Sequence, residues 1–250
     1  MKDELLKFQT MFEEIKKIGW VKEIRKSRGS CGNTFEYLLK KEEDDFPVPD
    51  YNDIEIKVMN DNSKTNLHLF NLVPDGDYLF PIKRILYELG WPNGKEEHER
   101  VLYQTFNSLD YNKLVYGKKA KINVNYDERK VELIAFNHKN ENMNIGISWS
   151  FNYLKERLLL KLQYLAFVRV SSCIISGEGY YHYHKVNYYK LKDFDTFINL
   201  IDKGIIEITF KIGVYKSGKR IGQVYDHGTD FSIAVSNLHL LYDEIKLNTD

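Results

Sequence analysis

Residues 49–58 read PDYNDIEIKV, and this stretch decides how the first part of the chain folds. From residue 54 onward, apolar and polar residues alternate, which is typical of a half-buried strand. Glu55 and Lys57 would share one face of that strand, roughly 6.6 Å apart at ~3.3 Å per residue. Asp50 lies in the preceding turn, where it can approach Glu55 from the side. The stretch therefore predicts a strand that carries Glu55 and Lys57, with the carboxylate of Asp50 beside it.

Two carboxylates beside a lysine are suited to phosphodiester hydrolysis, because they can hold a divalent cation next to an activated water. Hard oxygen ligands favour Mg²⁺ or Mn²⁺ over zinc. The carboxylate-x-lysine pattern is not specific, since it occurs four times, at Glu14/Lys16, Glu55/Lys57, Glu128/Lys130 and Glu244/Lys246. Only the second combines strand alternation with an acidic residue behind it. From the residues alone, a solvent-facing strand with a weak surface ion pair remains an equal alternative.

The composition is that of an ordinary globular protein, with 43% hydrophobic and 29% charged residues. Thirty-six basic residues balance 36 acidic ones, which argues against a non-specific nucleic-acid coat protein but not against a DNA enzyme. No apolar run reaches the ~18–20 residues of a membrane span, and no signal peptide precedes the first amphipathic helix. With only two cysteines, we expect a soluble protein of the reducing cytoplasm with no membrane partner.

Helical and strand patterns alternate irregularly along the chain. Predicted helices cover residues 2–18, 35–40 (capped by Asn33 or Thr34), 82–89, 151–160 and 193–203. Predicted strands cover residues 54–58, 67–72, 121–126, 131–136, 164–172, 205–214 and 231–235. The mixture predicts an α/β or α+β fold with a mixed sheet.

Two separate stretches carry a resemblance to a known family. The first is GSCGNTFEYLL at residues 29–39, followed by Pro49-Asp50 and by residues 54–57. The second is IGVYKSGK at residues 212–219, followed by DHGT at 226–229. Together they resemble the MvaI/BcnI family of restriction endonucleases, which is related to MutH and belongs to the PD-(D/E)xK nucleases. Matches at both ends imply that the resemblance covers most of the chain.

The resemblance implies an active site. Asp50 and Glu55 would bind the metal, Mg²⁺ by preference with Mn²⁺ able to substitute. Lys57 would position the attacking water and the phosphate oxygen. Glu36 would lie beside the site on its helix as an acid or base partner; the alternative is a plain glutamate on the helix surface.

The implied fold is a mixed-sheet, restriction-endonuclease-like catalytic lobe that faces a DNA-recognition lobe. We expect the catalytic lobe over residues 1–100, with a return of the chain around 140–175, and the recognition lobe largely over 100–250. A single two-lobed domain is the alternative. Family members act as monomers on double-stranded DNA and cut its two strands in separate events. A cognate DNA methyltransferase belongs to such a system, but not as a stable subunit.

The second stretch departs from the family where bases would be read. Thr209 and Lys211 stand where we expect an Asp and an Arg, and Ser232 stands where we expect an Arg. The target sequence is therefore not transferable. The residues predicted to contact DNA are Arg28, Asn33, Thr209, Lys211, Lys216, Lys219, Arg220, His227 and Ser232. The alternatives are a solvated charged loop at residues 25–28 and a turn histidine bonded to backbone at 227.

Other patterns carry less weight. Gly213-x4-Gly218-Lys219-Arg220 lacks the Ser or Thr of a phosphate-binding P-loop and precedes a strand-like segment. His182-x-His184 has no further ligand at zinc spacing and indicates a surface strand. The leading hypothesis is a sequence-specific, double-strand DNA endonuclease of a restriction-modification system. The alternatives are a MutH-like strand-nicking repair endonuclease and a DNA-binding module that does not cleave.

Overall fold

The computed structural model describes residues 1–27, 29–40, 48–75, 79–94 and 99–247, and it has the mixed α and β fold that the sequence predicts. The α-helices are α1 (Lys2–Ile18), α2 (Ser30–Leu38), α3 (Leu79–Leu89), α4 (Phe151–Lys161), α5 (Phe194–Asp202) and α6 (Leu238–Leu241). The strands are β1 (Val21–Lys22), β2 (Ile54–Asn60), β3 (Leu67–Asn71), β4 (Trp91–Pro92), β5 (Arg100–Phe106), β6 (Asn112–Lys113), β7 (Lys119–Asn125), β8 (Lys130–Phe136), β9 (Ser148–Ser150), β10 (Tyr164–Ile175), β11 (Glu178–Leu191), β12 (Ile206–Val214), β13 (Val224–Asp226), β14 (Asp230–Ile233) and β15 (Tyr242–Ile245). Within these described ranges, no helix has the length and apolar character of a membrane span.

The chain divides into two compact units. Unit 1 comprises Met1–Leu67, Leu158–Lys192 and His239–Asp250, and unit 2 comprises His68–Arg157 and Asp193–Leu238. These bounds differ from the predicted lobes, because strands far apart in the sequence pair with each other. Thus β15, near the chain end, pairs with β11 in unit 1, while β3 pairs with β14 in unit 2. Local sequence patterns do not encode such long-range pairing.

A five-stranded mixed sheet organises unit 1, in the order β1-β11-β10-β2 with β15 also on β11. β10 and β11 form an antiparallel hairpin, whereas β10 runs parallel to β2, with Leu165 opposite Glu55 and Phe167 opposite Lys57. Helix α1 covers one face of the sheet. Its apolar residues recur at helical spacing, so they form a stripe along one side of the helix that packs on the sheet. Its Phe8 and Phe12 are buried in a cluster that also contains Ile54. This packing holds the inner face of β2 against the core.

β2 is more deeply buried than its alternating pattern predicts. Ile54 and Ile56 belong to the core, as expected, but Glu55 between them is also buried. The prediction of a half-buried strand is therefore wrong at its first residues. Both faces of β2 are covered at Glu55, so its carboxylate lies in a protein interior instead of at a surface.

Helix α2 begins earlier than predicted. It starts at Ser30 after Gly29, not at Phe35, and no side-chain cap closes its first turn. Thr34, one of the predicted caps, is instead fully buried inside the helix and its Oγ1 accepts a hydrogen bond from the Ile24 amide at 3.3 Å. Ser30 is buried as well, and its hydroxyl donates to the Arg25 carbonyl at 2.6 Å. Tertiary contacts thus outweigh the low helix propensity of this glycine-containing segment.

Unit 2 contains two sheets, one of six strands in the order β3-β14-β12-β5-β4 with β13 on β12, and one of four strands in the order β6-β7-β8-β9. The central strand β12 alternates in burial: Ile208, Phe210 and Ile212 are fully buried, and Thr209 and Lys211 between them are partly exposed. The apolar residues pack with large aromatic side chains such as Trp149 and Phe231. The other face of β12 therefore carries its polar residues.

Replacing Phe8 by alanine tests how the core supports β2. Phe8 is fully buried and its ring contacts Phe35, Tyr51 and Tyr188. We expect Phe8→Ala to lower the free energy of unfolding by about 3–5 kcal/mol, because it removes buried area and leaves a cavity. Urea denaturation followed by circular dichroism measures the loss. Ile18→Ala, at the exposed end of the same helix, is the control and should change the value by less than about 0.5 kcal/mol. Equal losses in the two variants would contradict this account.

Candidate functional site

The Glu55 carboxylate is the centre of the candidate site in unit 1. Its side chain is 1% exposed, and its Oε1 accepts a hydrogen bond from the Lys57 ammonium at 2.7 Å. A second ammonium, that of Lys161, lies 3.3 Å from the same oxygen. The two lysine side chains are themselves only 15% and 19% exposed. A buried carboxylate thus faces two cations on one of its oxygens.

Asp50 is held beside β2 by a backbone contact. Its Oδ2 accepts a hydrogen bond from the Ile56 amide at 2.9 Å. The turn between them is closed by two reciprocal bonds, from the Tyr51 amide to the Ile54 carbonyl at 3.0 Å and from the Ile54 amide to the Tyr51 carbonyl at 2.7 Å. The turn therefore fixes the Asp50 carboxylate next to the strand that carries Glu55.

Burial dominates the electrostatics of Glu55. Loss of solvent, the largest effect, raises the pKa of its carboxyl group. The charge of Asp50 also raises this pKa, whereas the charges of Lys57 and Lys161 lower it. The net result is a raised pKa. Asp50 is the acidic group whose charge acts on Glu55, and like charges disfavour ionisation of both carboxyl groups. A bound cation would offset that repulsion.

Two buried oxygen atoms in this region have no hydrogen-bond partner in the described residues. One is Oε2 of Glu55 and the other is the hydroxyl of Tyr242, which is 1% exposed. Burial and the charge of Glu55 both raise the pKa of Tyr242, so the phenol stays protonated. An unpartnered buried carboxylate oxygen is costly unless a ligand satisfies it. The residues therefore fit a divalent cation at Glu55.

The donor set suits a cation that keeps some of its water. Within the described ranges, no three His, Cys, Asp and Glu side chains are grouped as metal ligands. Asp50 and Glu55 would supply two carboxylates, and water or substrate oxygens would supply the rest. Mg²⁺ is usually bound in this way, through one or two carboxylates, several waters and substrate phosphates.

Sequence reasoning missed Lys161 and Tyr242. Lys161 is the last residue of α4 and precedes β10, whose Leu165 lies opposite Glu55 in the parallel pair. Tyr242 begins β15, which pairs with β11. No local motif marks either residue, because each is more than 100 positions of sequence from Glu55 and is brought into unit 1 by the pairing of strands that the motif does not contain. Glu36, which was predicted to lie at the site, is on α2 and partly buried.

The predicted base-reading residues Thr209 and Lys211 lie in unit 2 on the polar face of β12. The Thr209 hydroxyl is 2.8 Å from that of Thr105, its partner on β5. The Lys211 ammonium donates to Oδ2 of Asp230 at 2.8 Å, and Oδ1 of Asp230 contacts Nδ1 of His68. The side chains of Lys211 and His68 are partly exposed while that of Asp230 is largely buried. Asp230 therefore orients two donors at the sheet surface.

Ser232 and His227 differ in accessibility. Ser232 is 7% exposed, which leaves its hydroxyl little room to reach a ligand. His227 is exposed, its amide donates to the Lys211 carbonyl at 3.0 Å, and the neighbouring Gly228 amide donates to the Asp226 side chain at 2.9 Å. The bond from Gly228 to Asp226 closes a tight turn at residues 226–228, whereas the His227 amide extends the pairing of β13 with β12. The His227 ring lies against that of Tyr225, with ring centroids 4.8 Å apart.

The predicted basic loop is exposed at Lys216, Lys219 and Arg220. The Lys216 ammonium contacts the Asn93 carbonyl, and the Arg220 guanidinium lies 5.7 Å from the ring centre of Tyr215. Only a three-residue 3-10 turn, Gly218–Arg220, follows the glycine-containing segment, so the long helix of a P-loop is not present at this position.

Two further predictions concern unit 1. Arg28, a predicted phosphate contact, lies outside the described residues, and Asn33 is partly buried within α2. His182 and His184, read as a surface strand, lie on β11, and Nε2 of His184 is 2.8 Å from Oδ2 of Asp61.

The fold is that of a restriction endonuclease. The structure of restriction endonuclease MvaI in complex with its cognate DNA substrate is similar over 98% of this chain and 98% of that chain, with 29% sequence identity and a TM-score of 0.86. MvaI in the absence of DNA is similar over the same shares, with 29% identity and a TM-score of 0.63. Among curated proteins, none gives a significant sequence match.

The sequence model of the MvaI/BcnI restriction endonuclease family matches residues 9–242. Because this match spans most of the 250 residues, the chain belongs to that family. It is a sequence-specific DNA endonuclease, and the prediction made from the two sequence stretches is confirmed.

Replacing Asp230 by asparagine tests the charge arrangement in unit 2. Burial would raise the pKa of Asp230, but the bonds and charges of His68 and Lys211 outweigh it and lower that pKa. A lowered pKa stabilises the fold above the unfolded value of about 3.9, and this stabilisation is lost as the pH falls through the folded value. We expect Asp230→Asn to cost about 1–2 kcal/mol at pH 6, discounted because both partners are partly exposed.

Urea denaturation at several pH values measures this effect. The difference in unfolding free energy between the native chain and Asp230→Asn should be constant from pH 6 down to about 4 and should narrow as the pH falls further. Asp127→Asn, in the exposed turn between β7 and β8, is the control and should differ little from the native chain at any pH. A difference for Asp230→Asn that does not change with pH would contradict the assignment.

Proposed function

We propose that the chain hydrolyses phosphodiester bonds of double-stranded DNA at a divalent-cation centre built on Asp50, Glu55 and Lys57. The observation that carries the proposal is the Glu55 carboxylate, which is 1% exposed. One of its oxygens is bonded to Lys57, and the other has no partner among the residues that the structure describes. A buried charge of this kind is retained where it binds a cation or a substrate. Membership of a restriction endonuclease family supports the proposed hydrolysis of DNA.

The cation is proposed to be Mg²⁺, with Mn²⁺ able to replace it. Asp50 and Glu55 would hold it, and both offer the hard oxygen ligands that these ions prefer. When bound, such an ion neutralises charge at the phosphate and lowers the pKa of a water ligand. The protein's part is to keep both carboxylates in place, and the Ile56 amide does this for Asp50.

Lys57 and Glu36 are proposed to handle the proton and the phosphate. The Lys57 ammonium donates to Oε1 of Glu55, and it has further protons with which to orient an attacking water or a phosphate oxygen. Burial of the lysine to 15% exposure strengthens these contacts, because little water competes for them. Glu36, on the helix that precedes the site, would act as the acid or base partner.

DNA contacts are proposed on both units, each from its own residues. In unit 2, Lys211 and Thr209 would contact base edges, with Lys211 held by Asp230; a lysine donates to guanine O6 or N7 in the major groove. His227 would contact a base edge from its turn. Ser232 is also proposed to contact the DNA, although its burial limits the reach of its hydroxyl. The phosphate contacts are proposed for Lys216, Lys219, Arg220, Arg28 and Asn33.

We further propose that the chain is the restriction component of a restriction-modification system. The similarity to MvaI in complex with its cognate DNA substrate supports double-stranded DNA as the partner. A monomer with one such centre would cut the two strands in separate events. A methyltransferase that modifies the same site would protect the host DNA without forming a stable complex. The cytoplasm, where that DNA lies, is the proposed location.

Replacing Lys57 or Asp50 by alanine tests the proposed centre. We expect each variant to cut a sequenced plasmid at least about 100-fold more slowly in Mg²⁺, because the reacting groups lose a positioned donor or a cation ligand. Binding to the same plasmid, measured by a mobility shift in Ca²⁺, should persist. Lys130→Ala is the matched control, since Lys130 also pairs with the carboxylate two residues before it, Glu128, at 2.5 Å. Its cutting rate should equal that of the native chain.

The plasmid products distinguish the proposal from its alternatives. Discrete linear fragments with a common end sequence support a double-strand endonuclease of type II. Nicked circles that never become linear, even with excess protein, would favour the MutH-like nicking enzyme. A shift without any product in Mg²⁺ or Mn²⁺ would favour a DNA-binding module, and undiminished cutting by Lys57→Ala would exclude the proposed centre.

A further inference from the structure

Lys161 contacts the proposed centre from an element that the motif does not contain. Its Nζ lies 3.3 Å from Oε1 of Glu55, the oxygen that also accepts the Lys57 hydrogen bond. Lys161 ends α4, and its side chain is 19% exposed. Ammonium groups on flexible stems are seldom buried without a charged partner. The side chain is therefore held at the site by the Glu55 carboxylate.

The charges that act on Glu55 balance without a metal ion. Among the groups that act most strongly on Glu55, Asp50 is acidic and Lys57 and Lys161 are basic, so these three and Glu55 sum to zero charge when all four are ionised. A divalent cation added to this set would face both ammonium groups at short range, in a region where water screens charges poorly. A DNA phosphate brings negative charge and would offset that repulsion. Two lysines on one carboxylate oxygen thus disfavour the cation in the absence of DNA.

We propose that Lys161 is a positioning residue of the active centre: its ammonium holds Oε1 of Glu55 in the DNA-free chain and opposes binding of the divalent cation until DNA phosphate is present. This inference rests on the proposed function. Lys57 is expected to act on the reacting groups, whereas Lys161 acts through Glu55. The consequence is that cation binding and DNA binding are coupled, which protects the centre from holding an activated water without its substrate.

The affinity of the DNA-free protein for Mn²⁺ tests this role. Electron paramagnetic resonance of free Mn²⁺ measures the dissociation constant without any cleavage reaction. We expect Lys161→Met to bind Mn²⁺ about tenfold or more tightly than the native chain, since one nearby positive charge is removed. Lys161→Arg keeps the charge and should bind Mn²⁺ as the native chain does. Lys155→Met removes an exposed charge from the same helix and should not change the affinity.

A purely structural role for Lys161 gives the opposite result. If the lysine only supports the packing around Glu55, Lys161→Met would bind Mn²⁺ as weakly as the native chain or more weakly, and the inference would be overturned. Circular dichroism checks that each variant folds. Should Lys161→Met not fold, Lys161→Gln keeps a hydrogen-bond donor without the charge and should show the same tighter binding.

Plasmid cleavage by the same preparations separates this inference from the proposed function. If the native chain cuts in Mn²⁺ and Lys161→Met shows no tighter binding, the inference fails and the proposed function stands. If the native chain neither binds Mn²⁺ nor cuts, both fail. The double variant Glu55→Gln with Lys161→Met lacks a proposed cation ligand and should not show the tighter Mn²⁺ binding. That result would assign the measured ion to this site.

Discussion

The Glu55 carboxylate lies in the interior of unit 1, where its side chain is 1% exposed and the Lys57 ammonium is 2.7 Å away. A buried ionised group is tolerated only when nearby charges and hydrogen bonds compensate for the water it has lost. The mixed sheet supplies this compensation, because β2 presents Glu55 and Lys57 on one face and the parallel strand β10 follows directly on the helix that ends at Lys161. The core beneath β2 therefore also keeps the charged side chains in place.

Unit 2 also contains a buried carboxylate that nearby cationic side chains compensate, on a different sheet. Asp230 is a largely buried carboxylate, and Lys211 and His68 compensate it from neighbouring strands. Both donors are more exposed than the lysines at Glu55, and they lie at the sheet surface where the proposed base contacts would form. A carboxylate that orients a lysine favours a defined donor geometry, which suits discrimination between bases more than attraction to phosphates.

The sequence was sufficient for those features that depend on local patterns. Alternation over residues 54–58 predicts β2, and the spacing of apolar residues predicts α1. The start of α2 was predicted wrongly, because buried contacts of Ser30 outweigh propensity there. The contact of Lys161 with Glu55 could not be predicted, since it depends on the pairing of β2 with the distant strand β10. The contact of Lys211 with Asp230 could not be predicted either, since it depends on the register between β12 and β14. The family resemblance identified the class of enzyme, and it does not report such contacts.

The position at which a divalent cation binds tests the role of Glu55. Crystals of the protein grown with DNA and Mn²⁺ give an anomalous diffraction signal at the ion. We expect a peak next to the Oε2 atom of Glu55 and the carboxylate of Asp50, because that buried Glu55 oxygen has no partner among the described residues. A fully occupied ion elsewhere in the protein, with none at Glu55, would contradict that role.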